Sequence, residues 1–231
     1  MLGEHDPGRL YNSPADDGGA RVPVYDSPED AARALGRVAR HAQWRRQPDS
    51  PRLLMPAERV EEAAAVVADA LRTGPCWLQP TAVARLLACY GLQLTPPRAT
   101  EPDSLEMHVG VVTDPLFGPV LGLGAGEPAN ELLRDVAVRL TPLTEHDARE
   151  LVRSLRSFPL LDGYRGRPRL AVGALERLLL AASALVEDLP QVVQMNLDPL
   201  HVTTDGVVIT GARIRVDDLR STPSLIGRSQ I

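Results

Sequence analysis

A short apolar run ending in two closely spaced turn signals constrains this chain more than any other stretch. Met107 to Val112 reads as a strand, Asp114-Pro115 and Gly118-Pro119 interrupt it, and Val120 to Leu123 resumes the apolar character. The prolines rule out a continuous helix, and the spacing leaves room for a hairpin or another tight connection between strands. A hairpin or tight strand connection is the local expectation for Val109 to Val120, VGVVTDPLFGPV, within a second half of mixed helices and strands.

The first hundred residues read differently. Residues 1–22 mix Gly, Pro, Asp and Asn without periodicity and are expected to form a flexible arm. Ser27-Pro28-Glu29-Asp30 is a helix start, with a capping serine, a first-turn proline and acids at the positive end of the dipole; this helix should reach about Arg46. Pro56 and Glu58 open a second helix whose Val60, Ala63, Ala64, Val67 and Leu71 form one stripe, ended by Gly74. A third runs from near Thr81 to Tyr90 and stops at Gly91. From Leu92 to Glu106, three prolines and little apolar content predict an extended connection.

Beyond the Val109–Val120 segment, a helix is expected near Pro128 to Val136, followed by a strand through Leu140. Thr144 to Asp147 has capping-box character at the start of a helix to about Arg156, and Gly173 to Glu187 is amphipathic. Gln191 to Leu197, Leu200 to Thr203, Val207 to Thr210 and Arg213 to Val216 have strand character, with Asp205-Gly206 as a hairpin turn. The fold class expected is α+β, with α/β-like character.

Thirty acidic residues against twenty-five basic ones give a formal net charge of -5, which offers no footprint for nucleic acid or an anionic membrane. Every basic residue is arginine, because the sequence contains no lysine. Cys76 and Cys89 lack zinc-ligand spacing and read as two reduced thiols. The N-terminus is charged where a secretory segment would be apolar, and Leu178 to Val186 is too short to span a bilayer, so a cytoplasmic protein is expected.

Several motifs occur in a telling order. These are VGVVTDPLFGPV, the Gly-rich GLGAG at Gly122 to Gly126, the block from Glu131 to Pro168, and LVEDLPQVVQMNLDPL ending at Leu200. Together they resemble the C-terminal half of the ATP-grasp module of ADP-forming acyl-CoA synthetases. Residues 23–46 are similar to the closing helix of the CoA-ligase domain in fused members, and residues 77–100 to the lead-in of the ATP-grasp module. The resemblance implies a flexible arm (1–22), a helical segment like the end of a CoA-ligase domain (23–75), a lead-in helix and connection (76–104), an ATP-grasp-like half-domain with a small mixed sheet flanked by helices (105–216), and a tail (217–231). In the family a long block follows the lead-in. Here Glu101 to Ser104 passes almost directly to Glu106, so the chain reads as internally deleted, without the lysines that clasp nucleotide or the His-Lys segment. Arginine's planar fork does not automatically replace an ammonium point charge.

The resemblance also implies site residues. Glu106 matches a glutamate entering the Val109 strand, and Glu131 an acid near the region that accepts a phosphohistidine. Glu131 could polarise a histidine or simply complement a helix start. Gly122, Gly124 and Gly126 suit a phosphate-facing loop or a plain turn. Arg165 and Arg167 could grip phosphate or pair within their own turn. Asn196 and Asp198, two apart before Pro199-Leu200, could approach Mg2+ from one strand face or close an Asx turn. The family's second acidic metal position corresponds to Gly211, which has no side chain to ligate. The five histidines show no metal spacing, and surface, cap or packing roles are expected for them.

Two functions follow. One is a degenerate ATP-grasp-like protein, not catalytic alone, that serves a partner such as a CoA-binding synthetase subunit or another copy of itself. The other is a component of an ADP-forming acid–CoA ligase completed by a CoA-binding or nucleotide-binding chain. ATP or ADP and Mg2+ are the cofactors implied, with CoA reached only through a partner; neither nucleic acid nor membrane is expected to bind.

Overall fold

The computed structural model describes residues 10–12, 21–46, 50–96, 103–126 and 134–218. It divides into two compact units, Met1–Asp49 and Ser50–Ile231. Glu131 and the expected helix around Pro128 fall outside the described residues, as does part of the proline-rich connection.

In the first unit, β1 (Leu10–Asn12) pairs antiparallel with β2 (Arg21–Pro23), with Tyr11 opposite Val22. The stretch expected to be a flexible arm, residues 1–22, thus contains β1 and the first two residues of β2, where strand-favouring Tyr and Val flank a Gly- and Pro-containing sequence. Helix α1 (Pro28–Arg45) starts as its sequence dictates: the Asp30 amide donates to Ser27 Oγ at 3.1 Å, and Arg33 pairs with Asp30 at 2.7 Å.

The second unit contains α2 (Ala57–Leu71), β3 (Cys76–Trp77), α3 (Pro80–Cys89), β4 (Leu105–Asp114), β5 (Gly118–Ala125), β6 (Val136–Leu140), α4 (Glu145–Arg153), α5 (Phe158–Leu161), α6 (Val172–Asp188), β7 (Val192–Val202), β8 (Val207–Ile209) and β9 (Ala212–Val216). The strands form one sheet in the order β3-β9-β7-β4-β5-β6, with β8 pairing the second half of β7. The α+β class is as expected. All named pairs are antiparallel, and a lone parallel bridge joins Leu94 to Ile209. α2 belongs to this unit, although the sequence grouped it with α1.

The Val109–Val120 segment forms the β4–β5 hairpin. Asp114 Oδ1 accepts from the amides of Leu116 and Phe117 at 2.8 and 3.0 Å, which closes the turn. Two expectations are corrected here. Gly122 and Gly124 lie inside β5 rather than in a loop, because β4 on one side and β6 on the other saturate this backbone. Val136 starts strand β6 instead of ending a helix.

Alternation fixes the two faces. Met107, Val109 and Val111 of β4, with Leu121 and Leu123 of β5, are fully or almost fully buried against the helices. α6 buries Leu175, Leu179 and Leu185 on its sheet side, and removing one such leucine side chain costs about 2–5 kcal/mol. Thr144 and Asp147 form the capping box that starts α4. No helix among the described residues is long and apolar enough to cross a membrane.

One polar residue ties the β6 edge to the helical layer. Asp135 is 3 % exposed, and its carboxylate accepts from the amides of Arg156 and Ser157, each at 2.7 Å. Burial alone would raise its pKa, but the Ser157 and backbone hydrogen bonds prevail and hold the carboxyl below its ordinary value. Asp135→Ala should therefore cost about 3 kcal/mol in urea unfolding at pH 7, because two buried N–H groups lose an anionic acceptor. A depressed folded pKa stabilises above the unfolded carboxylate value and loses that contribution as pH falls through the folded one. The gap between wild type and Asp135→Asn should stay constant down to about pH 4 and narrow below it.

Candidate functional site

The second face of the sheet is where the chemistry-bearing residues converge. Between the buried positions of β4 lie Glu106, His108, Gly110 and Val112. Register places His201 opposite Glu106, and Asn196 opposite Gly110, both from β7. From β5 come Gly124 opposite His108 and Gly122 opposite Gly110, and from β6 Val136 and Val138 opposite those glycines. Arg213 of β9 lies opposite Asn196, and Trp77 of β3 opposite Arg215. Val112 and Val138 are more than half exposed, so this face is open where the other is packed.

β7 reaches it through an irregularity. Between the pairs Met107–Leu200 and Val109–Leu197, one residue of β4 faces two of β7, so Asp198 and Pro199 share the place opposite His108. Both are exposed, while Leu197 and Leu200 on either side are fully buried. Asn196 and Asp198 therefore share the open face, and Glu106 lies on the neighbouring strand.

The glycines accommodate their neighbours. A Cβ on Gly124 would fall 2.8 Å from His108 Nε2 and nearer still to the ring carbon between the nitrogens, so the imidazole lies directly over this residue. His108 Nδ1 is 2.9 Å from the Ala125 carbonyl. A carbonyl only accepts, so Nδ1 carries the proton in this contact. A Cβ on Gly126 would meet Glu106 Cγ at 2.7 Å, and the Gly126 amide donates to the Glu106 carbonyl at 2.8 Å. Glu106, Gly124 and Gly126 are thus brought together. Their arrangement is a layer of β4 side chains over bare β5 backbone, not a cradle of amides pointing at a phosphate.

Arg165 stands apart. It lies in the 3-10 turn Tyr164–Gly166, with positive φ of 54° and its guanidinium 5.3 Å from the Tyr164 ring centroid. The neighbouring Arg169 pairs with Asp162 at 3.4 Å. On the open face, Arg213 covers Trp77 at 4.6 Å and Arg215 lies 3.7 Å from Asp217. Tyr90 is on the packed side, where burial and the adjacent Asp188 carboxylate push its hydroxyl pKa well up.

Gly211 decides the fit to a divalent cation. Its ideal Cβ would lie 2.7 Å from the Asp198 carbonyl carbon, nearer still to the oxygen, and 2.8 Å from Pro199 Cδ. The Asp198 amide donates to the Gly211 carbonyl at 2.9 Å and the Gly211 amide to the Pro199 carbonyl at 3.2 Å, which locks this approach. No side chain fits at 211 without moving the backbone. Among the described residues no group of three His, Cys, Asp or Glu could hold a metal. Asn196 and Asp198 share the open face with Glu106, and Gly211 adds no side-chain oxygen beside them.

His108 and His201 were not singled out from sequence, because only the strand register brings them beside Glu106. His201 Nδ1 is buried without a hydrogen-bond partner in the described structure.

Residues 97–216 match a family described as an ATP-grasp domain. ADP-forming acetate–CoA ligase I subunit beta of Pyrococcus furiosus is 32% identical over 113 residues, 49% of this chain and 49% of that one. ADP-forming acetate–CoA ligase II of Archaeoglobus fulgidus is 42% identical over 114 residues, which is 49% of this chain and 17% of the other. The chain thus spans half or less of the length of these relatives. The crystal structure of PH1788 from Pyrococcus horikoshii shares the fold, with a TM-score of 0.59 at 23% identity over 68% of this chain and 98% of that one.

An acid introduced at 211 should not create a metal site. Gly211→Asp and Gly211→Ala should lose similar stability, about 1–3 kcal/mol by thermal melts, because both introduce the same Cβ against the Asp198 carbonyl. Mg2+ should leave the Tm of Gly211→Asp unchanged.

Proposed function

The ATP-grasp domain family, matched over residues 97–216, is the family to which this chain belongs, and from that premise we propose that it is a degenerate half-module serving a partner chain. The relatives named as ADP-forming acetate–CoA ligases support a kinship with acid–thiol ligation of the ADP-forming type. The open sheet face carries this reading. It presents two carboxylates and an amide beside exposed Val112, Val136, Val138 and Leu140, which is half of an interface rather than a closed pocket. With position 211 sealed and no lysine in the sequence, polyphosphate and metal lack the donors that phosphoryl transfer requires. In this reading the protein works in the cytoplasm, and CoA is met only on the partner.

The second reading keeps the ligase chemistry. Asn196, Asp198 and Glu106 remain on one face, and a complementing nucleotide-binding chain could bring the missing cations and the second carboxylate to it. These three residues would then contribute oxygen donors, while the reacting phosphate and thioester would be held largely by the complementing chains.

Isothermal titration of the full-length chain with Mg-ATP separates the two. No binding heat is expected; a saturable isotherm that disappears with EDTA would overturn the proposal. Mixing with a CoA-binding synthetase subunit and assaying acid-dependent thioester formation tests the second reading, and turnover lost in Asp198→Ala would establish it.

A further inference from the structure

Among the described residues strand β6 ends the sheet, and its hydrogen bonds reveal which backbone groups face its outer side. The Ala125 amide donates to the Asp135 carbonyl at 3.3 Å, and the Thr141 amide to the Pro119 carbonyl at 3.1 Å. Asp135 and Thr141 therefore aim their peptide groups at β5, and by strand alternation so do Ala137 and Arg139. Val136, Val138 and Leu140 aim theirs outward. The Val138 carbonyl confirms the parity, because it accepts from the exposed guanidinium of Arg139 at 3.2 Å on the outer side. The same three residues expose their side chains, by 46%, 56% and 51%, on the open face.

We propose that β6 is a homodimer edge that pairs antiparallel with β6 of a second copy, with Val138 on the two-fold axis. This goes beyond the family reading and does not depend on it. In that register every outward-aimed residue meets another: Val136 faces Leu140 of the partner copy, Val138 faces Val138, and Leu140 faces Val136. Each would donate once and accept once across the axis, with the Val138 carbonyl exchanging or sharing the Arg139 guanidinium for the partner amide, so the edge is self-complementary in hydrogen bonding. Side chains agree with the register. Val136, Val138 and Leu140 from both copies form one aliphatic strip on the open face, while each Arg139 lies opposite an Ala137 and not opposite its own like charge. The contact is isologous, and it closes. The opposite end of the sheet is β3, whose two residues, Cys76–Trp77, are too short to propagate a fibre. A heterologous partner strand could use the same outward groups, but only a second copy supplies this symmetric match.

Sedimentation velocity of the full chain over a dilution series tests the proposal. Wild type should show a reversible monomer–dimer equilibrium. Val138→Pro removes an N–H that β5 does not use, so it should remain monomeric at every concentration with Tm little changed. Should that variant fail to fold, cysteine cross-linking in a Cys76→Ser background decides the question. Val138→Cys on the axis should form an intermolecular disulfide under mild oxidation at least tenfold faster than Val136→Cys, which lies off the axis. A wild-type monomer throughout, a dimer that survives Val138→Pro, or equal cross-linking of the two cysteine variants would overturn the proposal.

Discussion

Everything in the larger unit depends on β4 holding its place between β5 and β7. Its period-two pattern sends Met107, Val109 and Val111 into the helices and leaves Glu106, His108 and Gly110 outside. A slip of one residue would exchange the two sets, bury a carboxylate and an imidazole, and expose three core side chains. The hydrophobic term alone makes that slip prohibitive, at about 1.5–3 kcal/mol for each large side chain moved into water. The open face is thus a consequence of the packed one.

β7 shows how strictly this parity is enforced. Its buried residues are odd-numbered at Met195 and Leu197, but even-numbered at Leu200 and Val202. A regular strand could not bury both pairs. The additional residue at Asp198-Pro199 resets the alternation, and it brings the Asp198 carbonyl against Gly211. The glycine at 211 therefore has a structural reason in this chain. The backbone arrangement that keeps Leu200 in the core occupies the space a carboxylate would need.

What was legible in the sequence was local. Ser27 and Thr144 announced their helices because a cap is satisfied within three residues, and Asp114-Pro115 with Gly118-Pro119 announced the hairpin because turn geometry belongs to the residues in the turn. Asn196 and Asp198 were expected on one face and share it, although through a break in alternation rather than a regular strand. What was not legible was set by neighbours distant in sequence. Gly122, Gly124 and Gly126 resemble a flexible loop in isolation; Gly122 and Gly124 lie in a strand paired on both sides, and His108 and Glu106 lie across the missing side chains of Gly124 and Gly126. Asp135 gave no signal, since its partners are the amides of residues 156 and 157. The family was legible because its motifs are themselves short and ordered, whereas register is needed to make a site of them.

Position on the open face also separates its possible uses. At the β9 and β3 side, Arg213 is stacked on Trp77 and Arg215 lies near Asp217, so the cations nearest to Asn196 are already engaged with groups of their own chain. At the β6 side the surface is aliphatic, and strand alternation turns the backbone groups of Val136, Val138 and Leu140 outward, with the Val138 carbonyl accepting only from the neighbouring Arg139 among the described residues. An anion brought to the centre would have to draw guanidinium groups away from existing contacts, while an apolar or strand-forming partner at the other end displaces water and little else. The physical asymmetry therefore favours macromolecular contact along β6 over anion capture at the centre, and any nucleotide held near Asp198 must bring its positive charge with it or receive it from another chain.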